Sequence, residues 1–172
     1  LGKSPELLAF DYNNRLLDIF GQYCSVIKAI ISGHLHCDGF RFDSTDARIP
    51  FCVIVPAISS NPTQCNPAFK IFTYDASSFE LQNSETHYCD ISVISPSWSK
   101  EYDFNTAYPG TPPLLKNGIE AFIKEGGVMM GPLTVSYIRY CYSQGGILSK
   151  LLSVWWNKYY WPSITTPRVK EI

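Results

Sequence analysis

Two of the chain's three histidines, His34 and His36, stand two residues apart in the run Ser32-Gly33-His34-Leu35-His36-Cys37-Asp38-Gly39-Phe40-Arg41. Neutral imidazoles are zinc ligands, and a pair of them on one turn can reach two neighbouring metals. Gly33 would let the backbone approach such a centre without a Cβ in the way. The run follows Val26 to Ile31, an apolar and β-branched stretch that predicts a buried strand. The C-terminal end of a strand is where open α/β sheets place their sites.

Plainer readings compete. A His-x-His pair also occurs by chance on exposed strands. A structural zinc site built from His34, His36, Cys37 and Asp38 is a second alternative, but adjacent ligands rarely close a tetrahedron without a distant partner. His87 falls mid-strand and reads as a core or surface residue. Asp38 can accept from a metal-bound imidazole or cap the turn through backbone amides. Arg41 can face a phosphate or pair with Asp43.

The elements that must position this turn follow from periodicity. Tyr12, Leu16, Ile19 and Tyr23 recur at helical spacing and predict a helix ending near Cys24. Residues 33–40 read as a loop. Phe51 to Val55 predicts a second buried strand closed by Pro56, and 57–67 a Ser/Asn/Pro loop. Phe69 to Tyr74 and Leu81 to Ile91 predict an antiparallel hairpin across a turn at 75–78. From about residue 96 the chain reads as helices. One carries Leu115, Ile119 and Phe122. One begins at Pro132 and carries Leu133, Tyr137 and Cys141. One carries Leu148, Leu151, Leu152, Trp155 and Tyr159.

Bulk properties narrow the function. Of 172 residues, 45% are hydrophobic and 17% charged, an ordinary globular balance. The net charge of -1 offers no electrostatic footing for a nucleic-acid partner. No apolar run is long enough to cross a bilayer. Six cysteines read either as disulfides in a secreted protein, with connectivity open, or as buried thiols. The chain begins Leu1-Gly2-Lys3 and its only methionines are Met129 and Met130, so it reads as a processed or N-terminally incomplete piece of a longer protein. The aromatic cluster Trp155, Trp156, Tyr159, Tyr160 and Trp161 reads either as helix packing or as an interface, with a lipid surface among its candidate partners.

The run IISGHLHCDGFR resembles the Gly-His-x-His motif near the C-terminal end of calcineurin-like metallophosphoesterases. The Asp-x-Phe-Arg that follows is the form seen in acid sphingomyelinase-like phosphodiesterases. YNNRLLDIF upstream and IPFCVIVPAISSNPTQCNPAFKIFTYD downstream resemble the same family, and so does the segment around Trp98, Glu101, Tyr102 and Tyr108, as the start of its helical region. The resemblance covers most of residues 11 to 108.

The resemblance implies an α/β (α+β) fold. Residues 1–95 would be the C-terminal part of a metallophosphoesterase β-sandwich flanked by helices, and 96–172 a small helical subdomain. It implies zinc-dependent hydrolysis of a phosphodiester, either a sphingomyelin-like lipid or a nucleotide-type substrate. Two zinc ions would be expected in the intact enzyme, with His34 and His36 binding one each. The family's other ligands and its leaving-group acid lie upstream of this motif. The missing N-terminal portion of the same domain is therefore an expected partner, and the chain alone is expected to be inactive. A secreted or lysosomal/vacuolar location follows by the same resemblance. A phosphomonoesterase or polyphosphatase with the same metal site, and a non-enzymatic interaction fragment, are the alternatives. Cys37 departs from the polar or charged residue usual at its position, and the loop from Ala57 to Asn66 is short, so lipid specificity does not carry over.

Overall fold

A computed structural model describes residues 10–34, 36–43, 45–59, 65–109, 132–141 and 143. The first described element is helix α1, Phe10–Gln22, whose Leu17 is buried. The helix ends where its apolar spacing predicts. Tyr23 N donates to Ile19 O (3.1 Å) and Val26 N to Tyr23 O (2.9 Å), so the chain turns.

That turn corrects the first strand. Val26 is 73% exposed, and strand β1 covers only Ile30–Ser32. A β-branched run becomes a strand only where a neighbour offers a ladder, and here the ladder begins at Ile30, whose N–H donates to Phe51 O. β1 runs parallel to β3, Cys52–Ile54, with Ile30 opposite Cys52 and Ser32 opposite Ile54. Ile31 is 54% exposed, so β1 is not buried on both faces among the described residues. β2, Gly39–Arg41, lies inside the stretch that reads as a loop, and it pairs antiparallel with β3. The sheet order is β1-β3-β2.

The second sheet is an antiparallel meander, β4-β5-β6. β4, Ala68–Tyr74, and β5, Leu81–Cys89, form the expected hairpin. Asp75 closes the turn: its Oδ1 accepts from Ser77 N (2.9 Å) and Ser78 N (2.8 Å). The Ser77 hydroxyl and these amides hold its carboxyl at about 2, below the usual range. β6, Trp98–Asp103, corrects the helical reading after residue 96, because it completes the sheet by pairing with β5. Asp103 then caps α2, Phe104–Ala107, by accepting from Thr106 N. α3, Pro132–Cys141, starts at Pro132 as predicted. The helices expected around Leu115 to Phe122 and around Leu148 to Tyr159, with the tryptophan-rich cluster, lie outside the described residues.

Among the described residues the chain is thus mixed α/β, with two small sheets joined by an aromatic core. Phe40, the middle residue of β2, sits at its centre, with ring centroids 4.9 Å from Tyr137, 5.4 Å from Tyr108 and 5.9 Å from Phe104. Burying one such ring contributes about 1.5–3 kcal/mol. Gly39 makes room for α3, since a Cβ there would meet the Tyr137 hydroxyl at 3.0 Å. Among the described residues, no helix is long and apolar enough to cross a membrane.

Three phenols in this core make the fold sensitive to alkali. Burial raises Tyr102 and Tyr108 well above 10 and pushes Tyr137 up to about 12, against the lowering effect of Arg41. A group raised in the folded state contributes stability that is fully present below its unfolded pKa and lost as pH rises through the folded value. The unfolded phenols ionise near 10, so stability falls above about pH 10. Tyrosinate absorbance followed beside circular dichroism should show these phenols ionising only as structure is lost. Ionisation of every tyrosine with the native spectrum intact would contradict this.

Candidate metal centre

The histidine turn leaves β1 at its C-terminal end, beside the C-terminal end of the parallel strand β3, where Val55 N donates to Ser32 O (2.8 Å). His34 (φ 80°) and His36 (φ 58°) both adopt left-handed backbone. This region disfavours residues with a Cβ, and its strain concentrates at functional sites. A Cβ on Gly33 would meet Val55 Cγ2 at 4.0 Å, an ordinary van der Waals distance. His34 is exposed. His36 is half-buried, and its Nδ1 is buried with no hydrogen-bond partner among the described residues.

Asp38 fastens the turn to the second sheet. Its Oδ2 lies 2.7 Å from Lys70 Nζ of β4, and the two side chains are 2% and 1% exposed. The same oxygen accepts from Thr86 Oγ1 of β5 (3.0 Å) and Tyr102 OH of β6 (2.8 Å). Lys70 Nζ in turn donates to both hydroxyls, at 2.6 and 2.9 Å. One carboxylate therefore meets all three strands of the meander. The Asp38 amide bonds Cys141 O at the end of α3. Among the described residues the Asp38 carboxylate meets Lys70, Thr86 and Tyr102, and no imidazole. Asp43 caps its own turn further on, where its Oδ1 accepts from Thr45 N and Asp46 N. Arg41 donates to Phe40 O (2.9 Å) and Tyr137 OH (3.1 Å).

Lys70, Thr86 and Tyr102 are the residues that sequence reasoning missed. The available signal was a lone cation in the apolar strand Ala68–Phe72, since a lysine is almost never fully buried without a partner. His87 is no part of the centre. It stacks on Phe69 with centroids 5.3 Å apart, and its Nε2 lies 3.4 Å from Glu85 Oε2. All six cysteines are thiols rather than disulfides, and the Cys37 and Cys65 sulfurs lie 3.2 Å apart.

Two imidazoles on a strained turn, one with a buried unpartnered nitrogen, suit a zinc-type ion as part of a ligand set. Among the described residues no group of three or more His, Cys, Asp or Glu gathers to complete it.

No family model matches the chain. It is 29% identical over 111 residues to Acid sphingomyelinase-like phosphodiesterase 3b of Homo sapiens, covering 56% of this chain and 24% of that protein. It is 30% identical over 111 residues to Sphingomyelin phosphodiesterase B of Dictyostelium discoideum, covering 56% and 17%. It is 26% identical over 117 residues to Cyclic GMP-AMP phosphodiesterase SMPDL3A of Rattus norvegicus, covering 62% and 26%. The chain thus spans about a quarter or less of the length of the curated relatives it matches. The motif expected from the residues and the relatives found by comparison point the same way: the chain is similar to acid sphingomyelinase-like phosphodiesterases.

Proposed function

We propose that the protein carrying this chain hydrolyses phosphodiesters with metal assistance, and that His34 and His36 are two of its zinc ligands. The observation that carries this reading is the left-handed histidine turn beside the C-terminal ends of β1 and β3, with His36 Nδ1 buried and unpartnered among the described residues. A buried polar atom without a partner costs about 1–3 kcal/mol, and a metal-centred environment is one that would take it up. When bound, such a metal supplies charge stabilisation for the phosphoryl oxygens and a nucleophile at mild pH. The chain's own part is positional. The Asp38 network holds the turn against the second sheet, and the aromatic core under Phe40 fixes β2 behind it. The remaining ligands would come from outside the described residues, including an N-terminal portion of the same domain.

The substrate class proposed is a phosphodiester, either a sphingomyelin-like lipid or a nucleotide-type molecule. The relatives' names include both a sphingomyelin and a cyclic dinucleotide phosphodiesterase. A secreted or lysosomal/vacuolar setting is proposed with it, following the resemblance.

The test is metal content and hydrolysis by the full-length protein, with chromogenic phosphodiester and phosphomonoester substrates side by side. Bound zinc, with diester turnover lost on chelation and restored by zinc, is the expected result. Preference for the monoester would shift the reading to a phosphomonoesterase. Neither zinc nor turnover would leave an interaction module.

A further inference from the structure

We infer that Cys37 and Cys65 are a disulfide-forming pair that clamps the histidine turn to the segment entering β4. Their sulfurs are 3.2 Å apart although the residues are 28 positions apart in sequence. Closing that gap to a covalent bond of about 2.05 Å needs roughly 1 Å of movement. Cys37 directly follows His36, and Cys65 lies three residues before β4 begins at Ala68. The neighbours on both sides are already anchored. Asp38 holds Lys70 of β4, and Cys89 N donates to Pro67 O (2.9 Å). The side chain of Asn66 donates to Ser143 O (3.0 Å). The two backbones are therefore fixed where the sulfurs meet. Among the described residues Cys24, Cys52, Cys89 and Cys141 make no such sulfur–sulfur contact: Cys52, for example, meets the Ser32 hydroxyl at 3.5 Å.

The oxidant required is a small-molecule disulfide such as oxidised glutathione. The half-buried Cys37 is the accessible member and Cys65 the buried one. The Cys37 thiolate displaces one half of the oxidant as a thiolate, giving a mixed disulfide. The Cys65 thiolate then attacks the Cys37 sulfur and expels the second half. Two electrons pass to the oxidant, and the two protein thiol protons end on the two released thiols. The clamp stands on sulfur geometry and does not depend on the zinc reading.

The experiment equilibrates the full-length protein with mixtures of oxidised and reduced glutathione, alkylates the remaining thiols, and maps cross-linked peptides by mass spectrometry. Cys37 linked to Cys65, with the other four thiols of this chain alkylated, is expected. Closing a loop of this size should also raise the Tm of the oxidised form by about 5–10 °C over the reduced form. Cys65→Ser should leave Cys37 open to alkylation and abolish that shift. Alkylation of both cysteines in the fully oxidised buffer overturns the pair, as does linkage of either to a different cysteine. A mapped Cys37–Cys65 bond with identical Tm in both forms would overturn the clamp. Because mapping in the unaltered protein decides the pairing, a variant that fails to fold does not obscure the result, and phosphodiester turnover is not among the readouts.

Discussion

Alanine at His36 is expected to lower the zinc affinity of the full-length protein by at least about a hundredfold, and phosphodiester hydrolysis to fall in step with it. His34→Ala behaves in the same way. Removing residues that merely orient a metal ligand costs about 10–100-fold, so removing a ligand itself costs no less. The two readouts move together because ligand and Lewis acid are lost at once. His87→Ala is the matched control, since His87 stacks on Phe69 in the second sheet and belongs to no candidate ligand set. Metal analysis of the dialysed proteins and turnover of a chromogenic phosphodiester make the comparison. Undiminished zinc and turnover in either His34→Ala or His36→Ala would remove that residue from the site.

What the sequence made legible is what local pattern controls. The α1 stripe, the β4–β5 hairpin around Asp75 and the Pro132 start of α3 are all set by neighbouring residues, and they lie where periodicity puts them. The errors fall where a distant partner decides. Trp98–Asp103 is mostly polar and has little strand propensity of its own; pairing with β5 makes it a strand, with Tyr102 opposite Thr86. Val26 has strong propensity but no ladder partner, and it is left in a turn. β2 is three residues long and opens with a glycine. It exists because Phe40 fills the core and Tyr137 needs the space that Gly39 leaves.

The site follows the same division. Gly-His-x-His is a local signal, and His34 and His36 each take left-handed backbone just past the C-terminal end of β1. The role of Asp38 was not legible, because its partners Lys70, Thr86 and Tyr102 lie 32, 48 and 64 positions away in sequence. No local pattern distinguishes a carboxylate that caps a turn from one that reaches a buried lysine across two sheets.

That buried pair leads to the largest stability effect expected of any single substitution here. Lys70→Met removes the cation and leaves the Asp38 carboxyl, 2% exposed, beside the Thr86 and Tyr102 hydroxyls without its counter-charge. Breaking a buried ion pair by deleting one partner costs about 3–5 kcal/mol, which is a large share of a typical domain's total stability. The cost should hardly change with added salt, because a pair this deeply buried is poorly screened. Replacing both partners, as in Lys70→Met with Asp38→Leu, removes the stranded charge and should recover most of the loss, since apolar substitutes for a buried pair are often near neutral. Urea unfolding of the full-length protein and the three variants measures the cycle. If Lys70→Met is too unstable to purify while the double variant folds, the stranded carboxylate is still identified as the cause. Lys70→Met unfolding within about 1 kcal/mol of the parent, or a double variant no better than the sum of the single ones, would show that the charges do not hold the histidine turn to the second sheet.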